Sequence, residues 1–410
     1  MALHFARMDG MASTLAQKLL ARAAGRAHVA VGERLECAID LLLLDAAVPA
    51  PARHAARVLL ALDREGAAGG APATLRRTSA VAWAEREGID GVIDGLGPAA
   101  LVAPQRARVQ PGMLCVGGDA HCALLGALGV LALARTDHAL ALALAQGSVA
   151  LDVPPTTFVR WTGRLCDGVG AHDMALALRS RFGVHAFQGT VLEHCGEAIA
   201  ALPVEERMSL ALLSLALGCE ASLMAPDAFA QDWLESVGAD LEALGFARWH
   251  SDEDAPGVRH HDDASSLVPL AALPGEPAVA RPLDELEPLP VDVAWLGGCA
   301  GGKFHDLRAA ARVLAGYRVA AGVRLLVAPA SVADRERAGR EGVLRRLSEA
   351  GAVVLPPDGD NAAVWREAAG RRMVSAAPGP RDAEAILASP FTVAASALSG
   401  RLSDARSVLA

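Results

Sequence analysis

The sequence predicts an α/β protein of several domains, with parallel sheets covered by helices. Three observations carry that prediction. Short apolar runs alternate with segments of helical period along much of the chain, and such alternation feeds parallel strands through helical crossovers. Ala, Leu, Val and Gly dominate while aromatic residues make up 4%, which suits tightly packed layers better than an aromatic-rich sandwich. At 410 residues the chain exceeds what a single core holds, so two or three domains are expected.

In order, Thr14–Ala24 reads as an amphipathic helix with Leu15, Leu19 and Leu20 on one face, and Leu35–Leu44 as a buried strand. Gly66–Pro72 is loop, Ser79–Glu87 helix, and Gly112–Gly117 a short buried strand ending in a glycine corner. Ala/Leu helices are expected from that corner through Ala134 and over Thr136–Gln146. A second unit starts near Pro154, with strands at Thr157–Leu165 and Thr190–Glu193 and helices at Asp173–Arg181 and Glu205–Leu217. The stretch 251–289, rich in Pro, Asp and Glu and without period, reads as a linker. Strand–helix alternation then resumes over 290–410: Val291–Leu296, Asp306–Ala315, Val323–Ala328, Ala333–Ala350 and Ala352–Leu355. The expected units are thus 1–153, 154–250 and 290–410.

A formal charge of −9 argues against a nucleic-acid partner, which calls for clustered Lys and Arg. Seven cysteines, odd in number and without a Cys-x-x-Cys, are the usage of a reducing cytosol. The N-terminus lacks a signal-peptide layout, and the most apolar segment, Ala123–Ala134, is too short to span a bilayer. A cytoplasmic protein with no membrane partner is expected.

Gly297-Gly298-Cys299-Ala300-Gly301-Gly302-Lys303 lies between an apolar run and a helical pattern. Such a corner lets backbone N–H groups approach an anion, and a cysteine at its tip would be held as thiolate by the helix start. The run also fits G-x-x-x-x-G-K, but Phe304 stands where a phosphate-binding loop needs Ser or Thr for Mg²⁺. Another cluster, His260-His261-Asp262-Asp263, could chelate metal or be a solvated surface run.

Many short stretches fall in register with one family. They include Met11-Ala12-Ser13-Thr14-Leu15-Ala16-Gln17-Lys18, Pro111-Gly112, Gly117-Gly118-Asp119-Ala120-His121-Cys122 and Gly126-Ala127-Leu128-Gly129. Further on come His172-Asp173, Glu193-His194-Cys195-Gly196, Glu206-Arg207-Met208, Ala225-Pro226-Asp227, the Cys299 corner and Glu349-Ala350-Gly351-Ala352. Over nearly its whole length the chain resembles the large subunit of 3-isopropylmalate dehydratase, in the aconitase superfamily. The resemblance implies three α/β/α domains around a central cleft, without the swivelling fourth domain, which in two-subunit relatives is a separate small chain. It also implies a hydro-lyase acting on hydroxy di- or tricarboxylates through a 4Fe-4S cluster held by three cysteines.

Here the chain departs from that pattern. Cys299 matches one cluster ligand, but Leu355-Pro356-Pro357-Asp358-Gly359-Asp360-Asn361 places Asp358 and Asn361 where two thiolates belong, and one thiolate does not hold a cubane. Ala120 replaces the corner serine, Leu212 and Ala216 replace an asparagine and a glutamate, and Lys303 replaces an arginine clamp. No 4Fe-4S cluster is therefore expected. Cys299 with Asp358 and Asn361 could hold a mononuclear Zn or Fe, or 358–361 could be a polar turn and N-cap.

By resemblance, Asp119 and His121 act on the substrate hydroxyl and Glu193 serves as base; the alternatives are an N-capping Asp and a strand-end Glu. Lys303, Arg381, Ser375, Gly301 and Gly302 are the expected carboxylate binders, while Asp173 and Arg207 read as a cap and a buried ion-pair partner. Two functions follow. One is a cluster-free hydro-lyase subunit acting on a small carboxylate ligand beside a small-subunit partner. The other is a non-catalytic subunit that keeps the fold to bind or regulate a partner.

Overall fold

In the computed structural model, residues 12–62, 71–241, 245–275, 279–357, 362–379 and 384–409 are described. The first unit holds β1 (Arg34–Ala38), β2 (Leu41–Leu44), β3 (Val58–Ala61), β4 (Val92–Ile93), β5 (Leu114–Gly117), β6 (Leu131–Ala134) and β7 (Ser148–Asp152). Five of these form a sheet of order β4-β3-β2-β5-β6, parallel throughout, and β1 pairs antiparallel with β7. The four leucines of β2 show why the sheet must be covered twice. Leu42 and Leu44 pack with Leu15 and Trp83 on one face, and Leu41 and Leu43 with Leu101 and Leu124 on the other. Successive strand residues point to opposite faces, so an unbroken apolar run belongs in a two-sided interior. Each leucine so buried contributes about 2 kcal/mol.

The second sheet, order β10-β9-β8-β11, is parallel and contains β8 (Thr156–Thr162), β9 (Val191–Cys195), β10 (Ala221–Met224) and β11 (Val258–Asp263). The third is mixed. It contains β12 (Leu270–Ala272), β13 (Ala280–Pro282), β14 (Val293–Leu296), β15 (Arg324–Val327), β16 (Val353–Val354), β17 (Met373–Ser375) and β18 (Ala385–Ala388), in the order β13-β12-β18-β17-β14-β15-β16. The parallel sheets and covering helices are those of the α/β class expected.

Several expectations change; Leu35–Leu44, read as one strand, is two, β1 and β2, in different sheets. The stretch 251–289, read as linker, supplies β11 to the second sheet and β12 and β13 to the third. Short edge strands carry too little period to stand out among Pro and Asp. The helix expected through Ala134 is a 3-10 segment, Ala120–Leu128, stopped by Gly129 at φ 71, after which β6 begins. A short run buried all round looks alike as helix or strand. Ala333–Ala350 is two helices, Val332–Arg340 and Val343–Glu349, broken at Gly342 with φ 70. Of the loop expected at Gly66–Pro72, residues 66–70 lie outside the described residues, and Ala71–Glu87 is helix.

Candidate functional site

Two strand-to-segment corners meet at the site. At the end of β5, Asp119 caps the segment Ala120–Leu128, its Oδ1 accepting from the His121 N–H at 2.8 Å. The same carboxylate reaches the ring: Oδ2 lies 2.9 Å from His121 Nδ1. Cys299, at the tip of the other corner, borders the same cavity as the ring, and negative charge on it favours the protonated imidazole. One carboxylate therefore both caps the segment and contacts the imidazole. Charge on Cys299, then the bond to Asp119, raise the His121 pKa well above the ordinary value, although burial opposes them.

The Cys299 corner follows β14 and is packed without room for a Cβ. Gly298 takes φ +66, a left-handed turn that suits glycine. A Cβ on Gly301 would come within 2.4 Å of Ala376 Cβ, and one on Gly302 within 2.6 Å of the Ala328 carbonyl oxygen. The glycines thus let the ends of β14, β15 and β17 close on one another.

Lys303, expected to bind a carboxylate, is instead buried inside this knot. Its ammonium donates to the carbonyls of Cys299 (2.9 Å) and Ala300 (2.8 Å), to Ser209 Oγ (2.6 Å) and to Asp306 Oδ2 (2.8 Å). An ammonium has three protons, so none is left for a ligand. Ser375 is equally engaged: its Oγ donates to the Ala377 carbonyl at 2.6 Å and accepts from the Ala377 N–H at 3.1 Å.

Glu193 lies on the far face of β9. Val191, two residues before it, packs with Leu15, whereas Leu192 belongs to the cluster containing Ala300 and Ala377. The Glu193 carboxylate accepts from Ser251 Oγ at 2.7 Å, and Ser251 Oγ in turn accepts from the Leu15 N–H at 2.7 Å. Burial pushes the Glu193 pKa up to about 7. The structure therefore does not bring Glu193 to His121. Asp173 bonds the backbone N–H groups of Gly170 and Leu270, both at 2.9 Å, tying its helix to β12. Arg207 makes a two-pronged pair with Asp227 at 2.8 Å.

Arg381, Asp358 and Asn361 lie outside the described residues. Among the described residues no group of three His, Cys, Asp or Glu side chains is placed to hold a metal ion, and Cys299 is the one thiol bordering the cavity described next. A cubane needs three thiolates, so the described donors do not fit one. His260, from the other candidate cluster, packs against Phe182 with the rings tilted at 56° and centroids 4.7 Å apart.

His121 and Cys299 border a cavity of about 620 Å³ walled by segments far apart in the sequence. Leu176 and Arg179 come from the helix Ala171–Phe182, Leu212 and Ala216 from the segment after Arg207, and Trp295, Trp365, Ala377 and Gly379 from the third unit. Arg179, Trp295 and Trp365 were not singled out from the sequence. The spacing Ala175, Leu176, Arg179 puts the arginine on the helix face of two apolar residues, which is the signal that could have found it.

The match to the Aconitase family (aconitate hydratase) covers residues 84–359. The large subunit 1 of 3-isopropylmalate dehydratase from Methanopyrus kandleri is 30% identical over 97% of this chain and 100% of its own. The homoaconitase large subunit of Thermus thermophilus is 32% identical over 96% and 97%. Aconitase X of Thermococcus kodakaraensis overlays with TM-score 0.47 at 10% identity over 83% of each chain, and nothing about the site is drawn from it. Matched over most of its length by a family model and by full-length relatives, the chain belongs to the aconitase family of hydro-lyases.

Proposed function

We propose that this protein removes water from, or adds it to, a small hydroxy carboxylate without a 4Fe-4S cluster. The observation that carries the reading is the Asp119–His121 hydrogen bond with Cys299 beside it on the same cavity wall. Dehydration needs an acid for the departing hydroxyl and a base for the hydrogen on the neighbouring carbon. His121, held protonated by Asp119, gives its Nε2 proton to the hydroxyl, which leaves as water. The C–H electron pair becomes the new C=C bond as Cys299, acting as the thiolate, takes the proton on Sγ. Transfer of that proton from Cys299 to His121 restores the starting state.

The relatives named as large subunits support a small-subunit partner, and the free cysteines support a cytoplasmic setting. Among the described residues no helix is long and apolar enough to cross a membrane. The test is incubation of 3-hydroxy acids with the protein in D₂O, followed by mass spectrometry. Deuterium appears at the carbon next to the carboxylate with wild type and is lost with His121→Ala. No incorporation with any hydroxy acid, with or without a small-subunit homologue, would favour the non-catalytic reading.

A further inference from the structure

Arg179 is the one Lys or Arg among the described residues that border the cavity, and neither Asp nor Glu borders it. Its Nε is buried with no hydrogen-bond partner, and among the described residues the guanidinium forms no ion pair. A buried N–H left so is costly unless a ligand supplies the missing acceptor. Burial also pulls its pKa below the ordinary value.

The rest of the wall is apolar in a specific way. Ala120, Leu212 and Ala216 stand where the resemblance expects serine, asparagine and glutamate, and all three face this cavity, beside Trp295, Trp365 and Leu176. Polar groups have thus been exchanged for hydrocarbon at three points on one surface.

Resting on the hydro-lyase reading above, we propose that the substrate is a hydroxy monocarboxylate with an apolar chain. Its carboxylate sits on Arg179, its hydroxyl faces His121, and its chain lies against the two tryptophans and Leu212. A second or third carboxylate would meet leucine and alanine, with no donor to replace its lost water. Arg179 also bears on the reaction: a carboxylate bound there stabilises charge as the adjacent C–H bond breaks.

Binding can be read apart from turnover. Titration calorimetry of the full chain is run with butanoate, hexanoate and octanoate, and with malate and citrate. Affinity rises about fourfold per methylene from butanoate to hexanoate, and hexanoate binds more tightly than malate or citrate. Arg179→Gln weakens hexanoate about tenfold or more and leaves hexanol binding unchanged, while Arg179→Lys restores part of the loss. Equal hexanoate affinity in wild type and R179Q overturns the proposal, as does tighter binding of citrate than of hexanoate. Since the readout contains no chemistry, hexanoate binding as expected without deuterium incorporation would sink the hydro-lyase reading and leave standing only the ligand class, an apolar monocarboxylate on Arg179.

Discussion

His121 is flanked by a carboxylate at 2.9 Å and feels negative charge on Cys299. Both partners favour its charged form, so the stability they contribute is fully present below the unfolded pKa of about 6.5 and is lost as pH rises through the folded value. Asp119→Asn removes one partner and leaves the shape. The imidazole pKa, followed by NMR, is expected to fall, the alkaline limb of the rate profile to move to lower pH, and turnover to drop about a hundredfold. A merely structural Asp119 would leave the limb in place.

Glu193 makes a contrasting prediction. Its folded pKa of about 7 exceeds the unfolded value of about 4.3, so the native state binds more protons and stability falls as pH rises between those values. Glu193→Gln keeps the acceptor for Ser251 and is expected to gain roughly 2 kcal/mol at pH 8 with little change at pH 4. Thermal unfolding against pH measures it; an unchanged pH profile would contradict the burial argument.

At the scale of elements, the two glycine corners were legible because their chemistry is local. Asp119, His121 and Cys299 could be picked from the sequence, and they do converge. What the sequence withheld was the company each corner keeps. Lys303 looks like an anion binder after a glycine-rich run, but its acceptors are carbonyls that exist only once the corner has turned. Arg179 looks like part of a solvated helix face until the third unit closes over it.

Lys303→Ala should cost about 3–5 kcal/mol in denaturant unfolding, since it strands the buried Asp306 carboxylate. A normal stability with a raised KM would return Lys303 to ligand binding. Gly301→Ala, with its Cβ 2.4 Å from Ala376 Cβ, should cost about 1–3 kcal/mol and lower turnover by displacing the Cys299 corner; a fully stable, fully active variant would show that the corner has slack.

For the molecule as a whole, the α/β class was plain from alternation and from runs such as Leu41–Leu44, because two-sided burial leaves an uninterrupted apolar signature. The assembly of units was less so. β11, β12 and β13 hide in a Pro- and acid-rich stretch, and their pairing with β8 and β18 depends on partners far along the chain. The cavity exists only where segments far apart in the sequence meet, so the substitutions at Ala120, Leu212 and Ala216 looked like separate losses in the sequence and form one surface in the fold.

The central claim is that Asp119, His121 and Cys299 run hydro-lyase chemistry without a cluster. Its most direct test is turnover of 3-hydroxyhexanoate by anaerobically purified protein stripped of metal with a strong chelator. The account predicts that activity survives stripping and is lost in His121→Ala; activity that appears only after reconstitution with iron and sulfide would contradict it.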